Sequence, residues 1–119
     1  MESVLIVDND MALSRSLELH LQLKKYNAIS VCNGKDGLAL ANKWKPDFIL
    51  VDRDFPDTEF LRDIQAKVLQ DEMNCKVVII GNDIGHSRIA AKENQRSGVH
   101  GYLSKPFRLD DLFSVLQDS

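Results

Sequence analysis

Two rhythms of apolar and polar positions divide the chain. One is the unbroken apolar run: Val4-Leu5-Ile6-Val7, Phe48-Ile49-Leu50-Val51 and Val77-Val78-Ile79-Ile80. Such runs predict strands covered on both faces, as in the middle of a parallel sheet, although periodicity alone leaves a buried helical segment open. For the middle run, its length and the flanking Pro46 and Pro56 favour the strand. Two shorter segments, 28–32 and 99–103, complete a set of five strands.

The other rhythm is the helical stripe. Leu17 to Leu23 alternates as a half-buried strand would, but the stretch 11–25 is about three times a usual strand length. It also lacks β-branched residues, and its Leu, Glu, Gln and Lys suit a helix. Leu13, Leu17 and Leu21 make its apolar face, with Asn9 or Asp10 as N-cap. Residues 35–44 place Gly37, Leu40, Ala41 and Trp44 together, and Pro46 ends that helix. Leu61, Ile64 and Val68 form a third stripe. The segment 84–97 predicts a helix with few large apolar residues, hence the most loosely held, capped by Gly98. Leu109, Leu112, Phe113 and Leu116 mark a closing helix, with Asp110 and Asp111 complementing the dipole of its first turn. Strands and helices alternate, so the expected class is α/β, a parallel sheet with helices on both faces.

Composition narrows the function. At 119 residues the chain is expected to be one domain, 1–119. Its 15 Lys plus Arg against 18 Asp plus Glu give a net charge of -3, which supplies no field to gather nucleic acid or anionic lipid. Cys32 and Cys75 lie in or beside apolar runs with no Cys-x-x-Cys spacing, and are expected to be buried reduced thiols. The start carries no basic leader and no apolar run reaches membrane-spanning length, so a soluble cytoplasmic protein is expected.

Three strand ends carry polar residues with chemistry: Asp8-Asn9-Asp10, Asp52 and Lys105. In a doubly wound sheet these ends open on one rim, where such folds bind ligands. Clustered carboxylates are a natural seat for Mg²⁺, which keeps waters for a phosphate to displace. A carboxylate beside that ion can accept a phosphoryl group while a lysine neutralises the transferring oxygens. Taken singly, each residue has a plainer account as a capping Asp or a solvated Lys.

The combination resembles a bacterial two-component response-regulator receiver domain, of the chemotaxis-receiver kind. The resemblance runs from Val4 to about Leu116. It rests on Val-Asp-Asn-Asp at 7–10, Pro-Asp-Phe-Ile-Leu-Val-Asp at 46–52, Pro56, and Gly-Tyr-Leu-Ser-Lys-Pro-Phe at 101–107. It implies a flavodoxin-like (βα)5 sheet in the order 2-1-3-4-5. Asp52 matches the phosphoacceptor, which receives its phosphoryl group from a histidine kinase or phosphotransfer protein. Asp8, the Asp54 backbone carbonyl and Asp52 itself match the Mg²⁺ ligands, Lys105 matches the lysine that contacts phosphoryl oxygens, and Tyr102 matches the switch aromatic. The Lys105-Pro106 bond is usually cis in this family. The face of the fourth helix, fifth strand and fifth helix is its usual signalling surface toward an output domain or partner.

The chain departs from the pattern at Gly81, where relatives carry Thr or Ser, and at Asn9, the second of the acidic pair, which can touch a cation but brings no charge. Phe60 stands where many relatives have glycine, and the helix start is expected to turn Asp10 away from the site. Two readings follow: a working phosphoacceptor, or a degenerate receiver used as a phosphorylation-independent binding module. A haloacid-dehalogenase-type phosphatase, suggested by Asp52-Arg53-Asp54, fits poorly, because Pro56 replaces its usual Thr or Val and the chain is short.

Overall fold

A computed structural model of the protein describes residues 2–52, 58–70, 72–81 and 99–117. The apolar runs form the strands β1 (Ser3–Val7), β3 (Phe48–Asp52) and β4 (Lys76–Gly81), flanked by β2 (Asn27–Val31) and β5 (Val99–Ser104). All pair in parallel, in the order β2-β1-β3-β4-β5. The described helices are α1 (Met11–Leu23), α2 (Gly34–Trp44), α3 (Thr58–Leu69) and α4 (Leu109–Gln117). The helix expected over 84–97 lies outside the described residues.

Because side chains alternate along a strand, each strand feeds two cores. Leu5, Val7, Ile49, Val51, Val77 and Ile79 pack with Ala41 of α2 and Phe60 and Ile64 of α3. Val4, Ile6, Phe48, Leu50, Val78 and Ile80 pack on the other face with Leu17 and Leu21 of α1 and Leu112 and Leu116 of α4. The centre of each stripe lies in a core, at Leu17, Leu21, Ala41, Ile64, Leu112 and Leu116, while Leu13, Leu40, Trp44, Leu61, Val68 and Phe113 at the margins are half-buried and Leu109 is exposed at the start of α4.

Asp10, rather than Asn9, caps α1, its side chain accepting a bond from the Leu13 N–H. Asn33 caps α2 in the same way toward Asp36, and Lys45 closes α2 in a left-handed conformation just ahead of Pro46. Gly81 is the last residue of β4 and pairs with Ser104. The expected burial of both thiols holds only for Cys75, whose pKa is pushed up to about 11 by burial. Cys32 is exposed, because it follows β2 at the open edge of the sheet. No helix among the described residues is long and apolar enough to cross a membrane.

Phe60 acquires its reason here. Its ring is buried in the α2–α3 core, and a Cβ placed on Gly37 would come within 2.9 Å of Phe60 Cε1 and 3.2 Å of Val7 Cγ2. The large residue on α3 is accommodated by the missing side chain on α2. Gly37→Ala should cost about 1–3 kcal/mol through overpacking. Phe60→Leu in the same chain should recover part of that loss, read as coupling in a double-mutant cycle of urea unfolding; additive effects would exclude the fit.

Candidate functional site

The alternation that builds the second core also aims the site. Asp8 and Asp52 continue the even-numbered series Val4-Ile6 and Phe48-Leu50, so both carboxylates point to the α1/α4 side at the carboxyl end of the sheet. Both are buried, at 2% and 7% exposure. β5 reaches that side by a different route. Val99 pairs with Val77 and belongs to the α2/α3 core, but Gly101, not His100, pairs with Val78. The extra residue is a bulge, and it puts two consecutive residues on one face: His100 meets the Phe48 ring edge-on, and Gly101 faces Val115 of α4. From there Leu103 joins the α1/α4 core, and Lys105, two residues on, follows it. In a regular strand Leu103 and Lys105 would sit on the opposite face.

Lys105 Nζ donates to Asp52 Oδ2 at 2.7 Å, and this is the one salt bridge found among the described residues. The Lys105 N–H also bonds the Gly81 carbonyl at 2.8 Å, and the Lys105-Pro106 peptide is cis. Asp8 is held by its neighbours: its N–H donates to the Val31 carbonyl at 3.2 Å, and its Oδ1 accepts from the Asp10 N–H at 2.9 Å. Ser14, buried in α1, reaches the Asp8 carbonyl through its hydroxyl at 3.5 Å.

The electrostatics tie the three groups together. Burial raises the Asp8 pKa above its usual value; the Asp10 N–H opposes this, the Asp52 charge adds to it, and Lys105 lowers it. At Lys105 burial favours loss of the proton, but the hydrogen bond to Asp52 and the charges of Asp52, Asp8 and Asp10 outweigh it and raise the pKa. The carboxyl end of the sheet thus links Asp8, Asp52 and Lys105 through one ion pair and their mutual charges. Asn9 is exposed beside Asp8. Tyr102 is half-buried and packs against the α2/α3 core, on the face of β5 away from Lys105. Asp54 lies outside the described residues.

No group of three His, Cys, Asp or Glu side chains forms a metal cage among the described residues. The donor set still suits Mg²⁺: buried carboxylate oxygens carrying more negative charge than one ammonium offsets, and few enough of them to leave room for water. The bulge and Ser14 were not read from the sequence. Gly101 inside a strand pattern was the available signal for the first; Ser14, a small polar residue in an amphipathic helix, gave none.

A sign follows from the Asp8 shift. A carboxyl whose folded pKa is raised binds its proton more readily folded than unfolded, so its penalty is absent below the unfolded value of 3.8 and grows as pH rises through the folded pKa. Asp8→Asn, measured by urea unfolding without divalent cations, should therefore be more stable than the wild type at neutral pH. The difference should close in acid; a destabilised Asp8→Asn at neutral pH would contradict the burial account.

Comparison with known proteins agrees with this geometry. A family model described as the response regulator receiver domain matches residues 4–117. Response regulator ArlR of Staphylococcus aureus is 29% identical over 117 residues, which cover 98% of this chain and 52% of ArlR. The chain thus spans about half the length of the curated relatives it matches. Among solved structures, the chemotaxis response regulator CheY4 of Vibrio cholerae superposes with a TM-score of 0.80 at 25% identity, covering 99% of this chain and 98% of that one. The Francisella response regulator 1452 receiver domain shares the fold, with a TM-score of 0.80 at 24% identity over 98% of this chain and 94% of its own. Sheet order, strand-end residues and the family match over nearly the whole chain lead to one assignment: the chain belongs to the response regulator receiver domain family.

Proposed function

We propose that residues 1–119 act as one phosphoacceptor receiver domain of a two-component pathway, with Asp52 taking a phosphoryl group from a histidine kinase or phosphotransfer protein. The observation that carries this reading is the 2.7 Å bond between Lys105 Nζ and Asp52 Oδ2 beside the second buried carboxylate, Asp8. Lys105 fixes the orientation of the Asp52 carboxylate. An Asp52 oxygen attacks phosphorus, an acyl-phosphate bond forms, and the donor's P–N bond breaks with its electron pair returning to the imidazole. An ammonium has three donors, so Lys105 can hold a phosphoryl oxygen as well. Mg²⁺, bound by Asp8, Asp52 and the Asp54 backbone carbonyl with Asn9 as a neutral donor, would supply further positive charge for the transferring oxygens. The low dielectric around the two carboxylates strengthens each of these interactions.

In this reading the chemistry is confined to Asp52, gaining and losing its phosphoryl group, and the domain is no enzyme toward other substrates. The state passes to an output domain or partner protein through the face of the helix expected over 84–97, β5 and α4. The net charge of -3 argues against nucleic-acid binding by this domain, and the short apolar runs support a cytoplasmic setting.

One observation favours a second reading, a pseudo-receiver that docks without phosphorylation. At the end of β4, Gly81 offers only backbone, and its carbonyl already accepts the Lys105 N–H. The hydroxyl that relatives place there is missing. Acetyl phosphate with Mg²⁺ separates the readings: a working receiver gains the mass of one phosphoryl group, lost in Asp52→Ala, and beryllofluoride shifts amides near Asp52. An unchanged mass and flat amide shifts would support the docking module.

A further inference from the structure

We infer that Asp10 is a positioning residue for Asp8, acting through its own peptide N–H and its capping side chain rather than as a cation ligand. The inference rests on the phosphoacceptor reading for its functional consequence, but its geometry stands independently. Asp10 is in an extended conformation, φ -84° and ψ 96°. Its N–H donates to Asp8 Oδ1 at 2.9 Å, while its own Oδ1 accepts from the Leu13 N–H at 3.1 Å and its carbonyl accepts from the Ser14 N–H at 3.0 Å. Ser14 returns to the Asp8 carbonyl through its hydroxyl.

These bonds close a circuit from residue 8 through 10, 13 and 14 back to residue 8. The first turn of α1 cannot shift without moving the group that holds Asp8 Oδ1. The capping bond is what keeps that turn in place, since a helix start without a cap loses a partner for one of its free N–H groups. The Asp10 carboxylate oxygen engaged with Leu13 faces the helix start, and residue 10 is exposed whereas Asp8 is buried. What holds Asp8 from position 10 is therefore the N–H and the cap behind it, not the charge.

Substitutions at residue 10 separate these roles. Asp10→Ala removes cap and charge, Asp10→Ser keeps a cap without charge, and Asp10→Glu keeps charge on an arm not favoured at this position. Asn33→Ala is the control, deleting the equivalent cap of α2, which has no hydrogen bond to Asp8 among the described residues. Two readouts are taken: hydrogen exchange of the residue 10 amide in the metal-free protein, and the rate of phosphoryl mass gain with acetyl phosphate and Mg²⁺.

Asp10→Ala should quicken exchange and slow mass gain by roughly two- to thirty-fold, the range that a lost cap spans. Asp10→Ser should restore both, Asp10→Glu neither, and Asn33→Ala should lower stability while changing neither. The inference is overturned if Asp10→Glu is normal while Asp10→Ser fails, if Asp10→Ala matches the wild type, or if Asn33→Ala reproduces the losses. A wild type that gains no phosphoryl group overturns the phosphoacceptor reading instead, and the exchange readout alone then decides the role of Asp10.

Discussion

Burying two carboxylates at neighbouring strand ends, with one ammonium paired to them among the described residues, is the constraint around which this molecule is arranged. An isolated ionised carboxylate inside a protein is strongly disfavoured, and even a buried pair recovers its desolvation cost only with good geometry. Here Asp52 has Lys105 at 2.7 Å, while Asp8 has backbone N–H donation from Asp10 and still titrates above its usual value. Among the described residues, the two carboxylates therefore carry more negative charge than Lys105 offsets. A group of that kind weakens the fold that carries it, and the two apolar cores of the sheet supply the stability it consumes.

Position in the site is decided by strand alternation more than by any contact within the site. Asp8 and Asp52 inherit their direction from apolar residues two and four places earlier. Lys105 inherits its direction only because the bulge at His100 and Gly101 shifts β5 by one residue. The same shift sends Tyr102 to the opposite face, against the α2/α3 core. One irregularity in an edge strand thus separates the lysine from the aromatic and gives each its own environment.

Much of this was legible before any coordinates. Apolar runs marked the strands, 3–4 spacing marked the helices, and acids or lysine at run ends marked the rim, because burial on both faces and ligand binding at strand termini are written directly in residue order. What was not legible depended on partners distant in sequence. Nothing local says that Phe60 fits over Gly37, since the fit needs α2 and α3 side by side. Cys32 looked buried from its apolar neighbours but follows an edge strand, and edge position is a property of sheet order, not of the run.

The central claim is that residues 8, 52 and 105 share one charge-coupled hollow, and it is tested most directly by following the Asp8 side-chain carboxyl by ¹³C NMR as pH is varied. In Asp52→Asn the Asp8 pKa should fall, because a neighbouring negative charge is gone; in Lys105→Met it should rise, because a neighbouring positive charge is gone. An Asp8 titration unmoved by either substitution would contradict the account.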